Sequence, residues 1–120
     1  AARAAQSQQE RLSARVTGTR PSLALEAYAG NYRDRMVEDI PVTLEDGHLV
    51  LRFSHTPAFT ADLEHWHYDT FLLRWRDAYI PDGLATFVLN SRGKPAAIHL
   101  DQPNLLDVDF RELEIVRAEG

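Results

Sequence analysis

After Pro21 the chain is written as short apolar segments broken by turn signals at intervals of roughly ten residues, a spacing that suits antiparallel β-structure. The clearest unit is VTL, EDGH, LVLRF. Asp46-Gly47 supplies the positive φ angles of a tight hairpin turn. Leu49, Leu51 and Phe53 alternate with Val50 and Arg52, so one face of the returning strand is apolar. A second hairpin follows the same logic, with ATFVLN before and AAIHLD after the turn Ser91 to Lys94. Between the two lie PAFTADLEHW and TFLLRWR. LALEAYAG (Leu23 to Gly30) reads as one helical turn leading into a first strand over Asn31 to Met36.

VDFRELEIVR supplies the last strand. Val108 and Phe110 share one parity while Leu113 and Ile115 share the other, so a bulge near Arg111 is expected to keep all four on the core face. The count is about eight strands, and an up-and-down barrel removes the exposed edges that so many antiparallel strands would otherwise leave. The expected fold is therefore an all-β barrel rather than an open sandwich.

Residues 1–20 have a different texture. AARAAQSQQERLSA (Ala1 to Ala14) consists of good helix formers, yet Leu12 is its single large apolar side chain, so the helix has no stripe to bury. TGTRP (Thr17 to Pro21) then breaks it. The division expected is a linker helix and connector over residues 1–20 and a barrel over 21–120, with the first twenty residues removable at little cost. At 120 residues one core is expected and a second is not.

Charge narrows the partners. The net charge is −5, and the 13 basic residues are scattered rather than gathered into a stripe that could neutralise phosphates, which argues against nucleic acid and against membrane insertion or binding. Without cysteine there is no disulfide or thiolate chemistry. No apolar run approaches the length of a membrane-spanning helix, and the N-terminus lacks the apolar centre of a signal peptide. An export signal would therefore lie upstream of Ala1, on a longer precursor.

The stretch HWHYDT (His65 to Thr70) is one histidine short of HxHxDH, the zinc-binding run of the metallo-β-lactamases. On a continuous strand His65, His67 and Asp69 would share a face and form half a zinc site. Position 70 is threonine, however, and a strand unbroken from Ala58 to Arg76 would far exceed the usual length. A break is required, and His67-Tyr68-Asp69-Thr70 is the place for it, since Asp and Thr side chains cap turns. The stretch is read as a structural hairpin, with no metal and no cofactor. Ser91-Arg92-Gly93-Lys94 spells SxxK, the nucleophile and base of serine β-lactamases, but it follows a strand instead of opening a helix and is read as a surface turn. Asp62, Glu64 and Asp69 are carboxylates of exposed strand faces. No catalytic residue is assigned. Trp75, in register with Phe71 and Leu73, is expected in the core; Trp66 fits either the core or a flat contact surface.

Four segments in order carry a resemblance: LEAYAGNYRD (Leu25 to Asp34), VTLEDGHLVLRF (Val42 to Phe53), DLEHWHYDTFLLRW (Asp62 to Trp75) and DFRELEIVR (Asp109 to Arg117). Together they resemble the C-terminal domain of unknown function appended to β-lactamase-related serine hydrolases, a group that includes penicillin-binding-protein-like enzymes and D-aminopeptidase. The resemblance spans about Pro21 to Arg117. It implies a lipocalin-like barrel that is not itself catalytic, joined by a linker helix to an upstream hydrolase carrying the true SxxK and YxN motifs. It supplies no ligand set.

The function expected is that of an accessory domain acting through interdomain or oligomer contacts, with the upstream hydrolase domain of the same chain as partner, self-association as a second contact, and a periplasmic or secreted location. The surfaces expected to serve are His65, Trp66, His67 and Tyr68 together with Tyr79, Ile80 and Pro81 of the YIPDG loop. The alternative is a stand-alone small-molecule carrier, since an eight-stranded barrel can hold one ligand. Phe53, Phe59, Phe71, Trp75, Phe87 and Phe110 are enough to fill a small barrel and argue mildly against it.

Overall fold

The Asp46-Gly47 pair adopts φ of 50° and 84°, the doubly positive turn whose twist matches a two-residue hairpin. It sets Val42 opposite Leu51 and Leu44 opposite Leu49. The computed structural model describes residues 9–104 and 108–118, and the first eight residues of the expected linker helix lie outside them. Residues 9–14 are helical (α1). The elements that follow are α2 (Leu25–Tyr28), β1 (Gly30–Asp34), β2 (Glu38–Glu45), β3 (His48–Arg52), β4 (Thr60–His67), β5 (Thr70–Trp75), β6 (Gly83–Leu89), β7 (Pro95–Asp101), a 3-10 turn (Phe110–Glu112) and β8 (Ile115–Arg117). Strands pair antiparallel in chain order and β8 returns to β1, so the protein is a closed eight-stranded up-and-down barrel. The first strand ends two residues earlier than Met36 because the Asp34 carboxylate accepts the Met36 and Val37 amides and turns the chain.

The interior is filled by two aromatic clusters. At the end closed by α2, Tyr28 stacks against Phe71 and Phe87 at 5.4 and 4.9 Å, and Tyr32 meets Phe87 at 6.0 Å. At the other end Phe53, Phe59, Trp75 and Phe110 meet one another at 5.5 to 6.2 Å. Edge-on rings at these separations add to their area burial. Between them sit Leu51, Ala61, Leu73 and Ile98.

The last strand departs from expectation. Instead of one strand bulged near Arg111, the chain makes the 3-10 turn Phe110–Glu112, with the Asp109 side chain accepting the Arg111 amide, and only Ile115–Arg117 is strand. A turn changes parity just as a bulge does, and it also frees Phe110 to dive into the core. The bulges fall elsewhere, between His65 and His67 and between Val88 and Leu89.

Gln102, fully buried, is the polar pin of that end. Its Oε1 accepts the Trp75 indole N–H at 2.8 Å and its Nε2 donates to the Pro81 carbonyl at 2.7 Å. A side chain at Gly83 would displace this pin, because a Cβ would stand 1.9 Å from Gln102 Oε1. Gln102→Leu strands a buried indole N–H and a carbonyl, so urea unfolding is expected to show a loss of about 2–4 kcal/mol. A change below about 0.5 kcal/mol, the scale of a neutral surface substitution, would mean that the pin contributes nothing.

Candidate functional site

A group of long-range polar contacts gathers around the β4–β5 turn. Tyr68 and Asp69 make that turn between the paired residues His67 and Thr70, which is the break expected within HWHYDT. Tyr68 takes φ of 46°, uncommon for an aromatic residue. The bulge leaves Trp66 without a cross-strand partner.

Onto this hairpin the connector is laid from residue 15 to residue 22. Arg15 donates to the Trp66 carbonyl at 3.0 Å and to the His65 carbonyl at 3.4 Å. Its guanidinium lies 4.3 Å from the centre of the Trp66 ring, a contact worth about 0.5–1 kcal/mol at a partly exposed site. The Val16 amide donates to His67 Nδ1 at 3.0 Å, and Thr19 Oγ1 accepts the Tyr68 amide at 2.8 Å. Ser22 donates its amide and its hydroxyl to the two oxygens of Asp69, at 3.0 and 2.8 Å.

Trp66 is thus neither core nor open contact surface. It is buried to 8% exposure but stands outside the core cluster, beside Glu10, Arg11 and Ala14 of α1 and Leu84 of β6. α1, which has no stripe of its own, lies beside an aromatic ring supplied by the barrel. Residues 9–20 are accordingly a docked segment. Removing them is expected to cost about 1–2 kcal/mol from the Arg15, Val16 and Thr19 contacts, a fall of several degrees in melting temperature; an unchanged midpoint would mean that the connector does not dock.

Asp69 joins the connector to the interior. Besides holding Ser22, it accepts the Tyr28 hydroxyl, while the Tyr28 carbonyl accepts the Tyr32 hydroxyl at 2.8 Å. Burial pushes the Asp69 carboxyl up, but the Tyr28 and Ser22 hydrogen bonds outweigh it and hold the group below the ordinary aspartate value. Burial first, and then the Asp69 bond, push the Tyr28 phenol up to about 12. A depressed carboxyl contributes stability that is present above its unfolded value and is lost as the pH falls through its folded one. The Asp69 anchor should therefore hold at pH 6 and weaken below about pH 4. Asp69→Ala, which lacks all three bonds, is expected to lose about 2–3 kcal/mol at pH 6, and the gap from the parent should narrow in acid. A gap that is constant from pH 6 to pH 3 would contradict this account.

The side chains once aligned as half a zinc site each have a different partner: His65 Nε2 bonds the Tyr68 carbonyl at 2.9 Å, His67 the Val16 amide, and Asp69 Ser22 and Tyr28. Among the described residues no group of three metal-type ligands converges. Asp62 and Glu64 lie on the outer face in ion pairs with Arg76 and Arg74, at 3.0 and 3.2 Å, and Asp62 also meets His48 at 2.9 Å. Ser91 and Lys94 occupy the exposed β6–β7 turn, whose shape is set by Asn90 accepting the Arg92 and Lys94 amides.

Of the other expected surface, Tyr79 is 94% exposed and Pro81 is exposed, but Ile80 turns into the core. This loop joins β5 to β6, so in an up-and-down barrel it lies at the opposite end from the β4–β5 turn. The structure therefore does not bring the two candidate surfaces together. Arg15, Val16, Thr19 and Ser22 carried no signal of their own in the sequence, because their partners are about fifty residues away.

Residues 14–117 match a family model described as a domain of unknown function (DUF3471). No curated protein matches the chain. No helix among the described residues is long and apolar enough to cross a membrane.

Proposed function

The chain belongs to the DUF3471 family of domains of unknown function, and on that premise we propose that it is a non-catalytic accessory barrel, joined through its connector to an upstream β-lactamase-related serine hydrolase domain of the same polypeptide. The observation that carries this reading is the docked connector. Residues 15–22 are fixed to the end of β4 and to the β4–β5 turn by side-chain and backbone hydrogen bonds. The chain therefore enters the barrel at one corner along a fixed path, which is what an accessory domain that shapes access to a neighbouring cleft requires.

In this reading the interdomain contact is made at the hairpin end, by α1, Tyr68 and the outer face around Trp66. Tyr79 and Pro81, at the other end, are left for a second contact such as self-association. The polypeptide works in the periplasm or outside the cell, as the enzymes it resembles commonly do. The two aromatic clusters support this reading over a ligand carrier, because they occupy the interior that a carrier would use.

An antibody against this barrel should detect, in source cells, a band several times larger than 13.6 kDa. The purified chain should turn over neither nitrocefin nor D-amino-acid amides. A native band at the mass of the barrel, or turnover that survives purification, would overturn the proposal.

A further inference from the structure

His65 and His67 stand two residues apart and use their rings in opposite senses. His65 Nε2 faces the Tyr68 carbonyl, which can only accept, so that nitrogen carries a proton and the bond survives when the ring becomes cationic. His67 Nδ1 faces the Val16 amide, which can only donate, so that nitrogen must be bare. Protonation of His67 at Nδ1 and the Val16 hydrogen bond are mutually exclusive.

The surroundings of His67 sharpen the conflict. The charged groups that line one cleft with it are Glu10 and Arg11 of α1, Asp101 of β7 and Arg111 of the 3-10 turn. Arg15 is fastened to the two preceding carbonyls, the Tyr68 ring lies tilted at 5.6 Å, and His65 and Asp69 share the hairpin. Asp101 is engaged by Arg111 at 2.9 Å, and Asp69 by Ser22 and Tyr28. A charged imidazolium here loses its connector bond and gains Arg15 as a like-charged neighbour.

We propose that His67 is a proton-operated latch: neutral, it holds the connector against the β4–β5 hairpin; protonated, it releases residues 15–16 while the barrel stays closed. The Tyr68 amide keeps Thr19, and Asp69 keeps Ser22, in place over the same range, so the freed segment pivots at residue 19 instead of unravelling the α2 plug. The release itself belongs to this chain alone; only its consequence, a change in how an upstream domain is held, rests on the proposed function.

The test is a titration of this chain by NMR from pH 8 to 4.5, following the His67 ring nitrogens, the amide exchange protection of Val16, and core amides such as that of Leu73. At neutral pH His67 should be the tautomer with its proton on Nε2. The protection factor of Val16 should then fall with the same midpoint as the His67 ring, by up to about tenfold per pH unit below it, while Leu73 keeps its protection. In His67→Asn, whose side-chain oxygen can accept but not titrate, the Val16 protection should persist to the lower limit of the titration. The proposal is overturned if Val16 is unmoved while the ring titrates, if the proton at pH 8 sits on Nδ1, or if Leu73 loses protection together with Val16. The outcome is independent of the native mass of the polypeptide, so a failed latch and a failed accessory-domain reading are told apart.

Discussion

Closure of the barrel through one three-residue stave is the constraint on which the rest depends. β8, Ile115–Arg117, pairs with β7 through Ala97 and Ile98 and with β1 through Tyr32 and Arg33. Without it β1 and β7 would be exposed edges. The same stave anchors the plug: Arg117 donates to the carbonyls of Ala27 and Ala29 and lies 5.5 Å from the centre of the Tyr32 ring. Asp34 adds a second tie from β1, accepting the Glu114 amide at 2.7 Å as the chain enters β8. A ring of eight strands encloses a space that side chains alone can fill, and here aromatic rings fill it from both ends.

A filled interior leaves function to the outside and to the ends. The outer wall along β2 to β5 is built of paired charges, with Arg52 on Glu45 and Arg76 on Asp62, and these hold both carboxyls below their ordinary values. Such exposed pairs contribute little stability. The hairpin end differs in kind, because its hydrogen bonds join residues about fifty positions apart and include the backbone of an otherwise unsupported segment. Asp69 is the junction where connector, turn and plug meet.

Much of the barrel was legible because strand period and turn chemistry are local. Asp46-Gly47, the Ser91 to Lys94 turn and the break at Tyr68-Asp69 all stand where their side chains and φ preferences place them. Trp75 is core, as its register with Leu73 and Phe71 implies. The last strand was half legible: the parity clash between Phe110 and Ile115 was visible, but a turn and a bulge resolve it equally well in one dimension. Ile80 was misplaced because the seven-residue loop between β5 and β6 gives no period from which to tell its buried side chain from its exposed ones.

By itself, the sequence determined that the chain would alternate apolar and polar residues through a series of hairpins, would need its edges closed, and had aromatic volume to fill a small barrel. Those properties are sums over neighbours within a few residues of one another. Only the tertiary structure decided where the connector goes and what Trp66, His67 and Asp69 do. Their partners are Arg15, Val16, Ser22 and Tyr28, brought to them by closure of the barrel. A polar contact across fifty residues leaves no periodic mark on either segment, because each side chain involved is equally at home facing water.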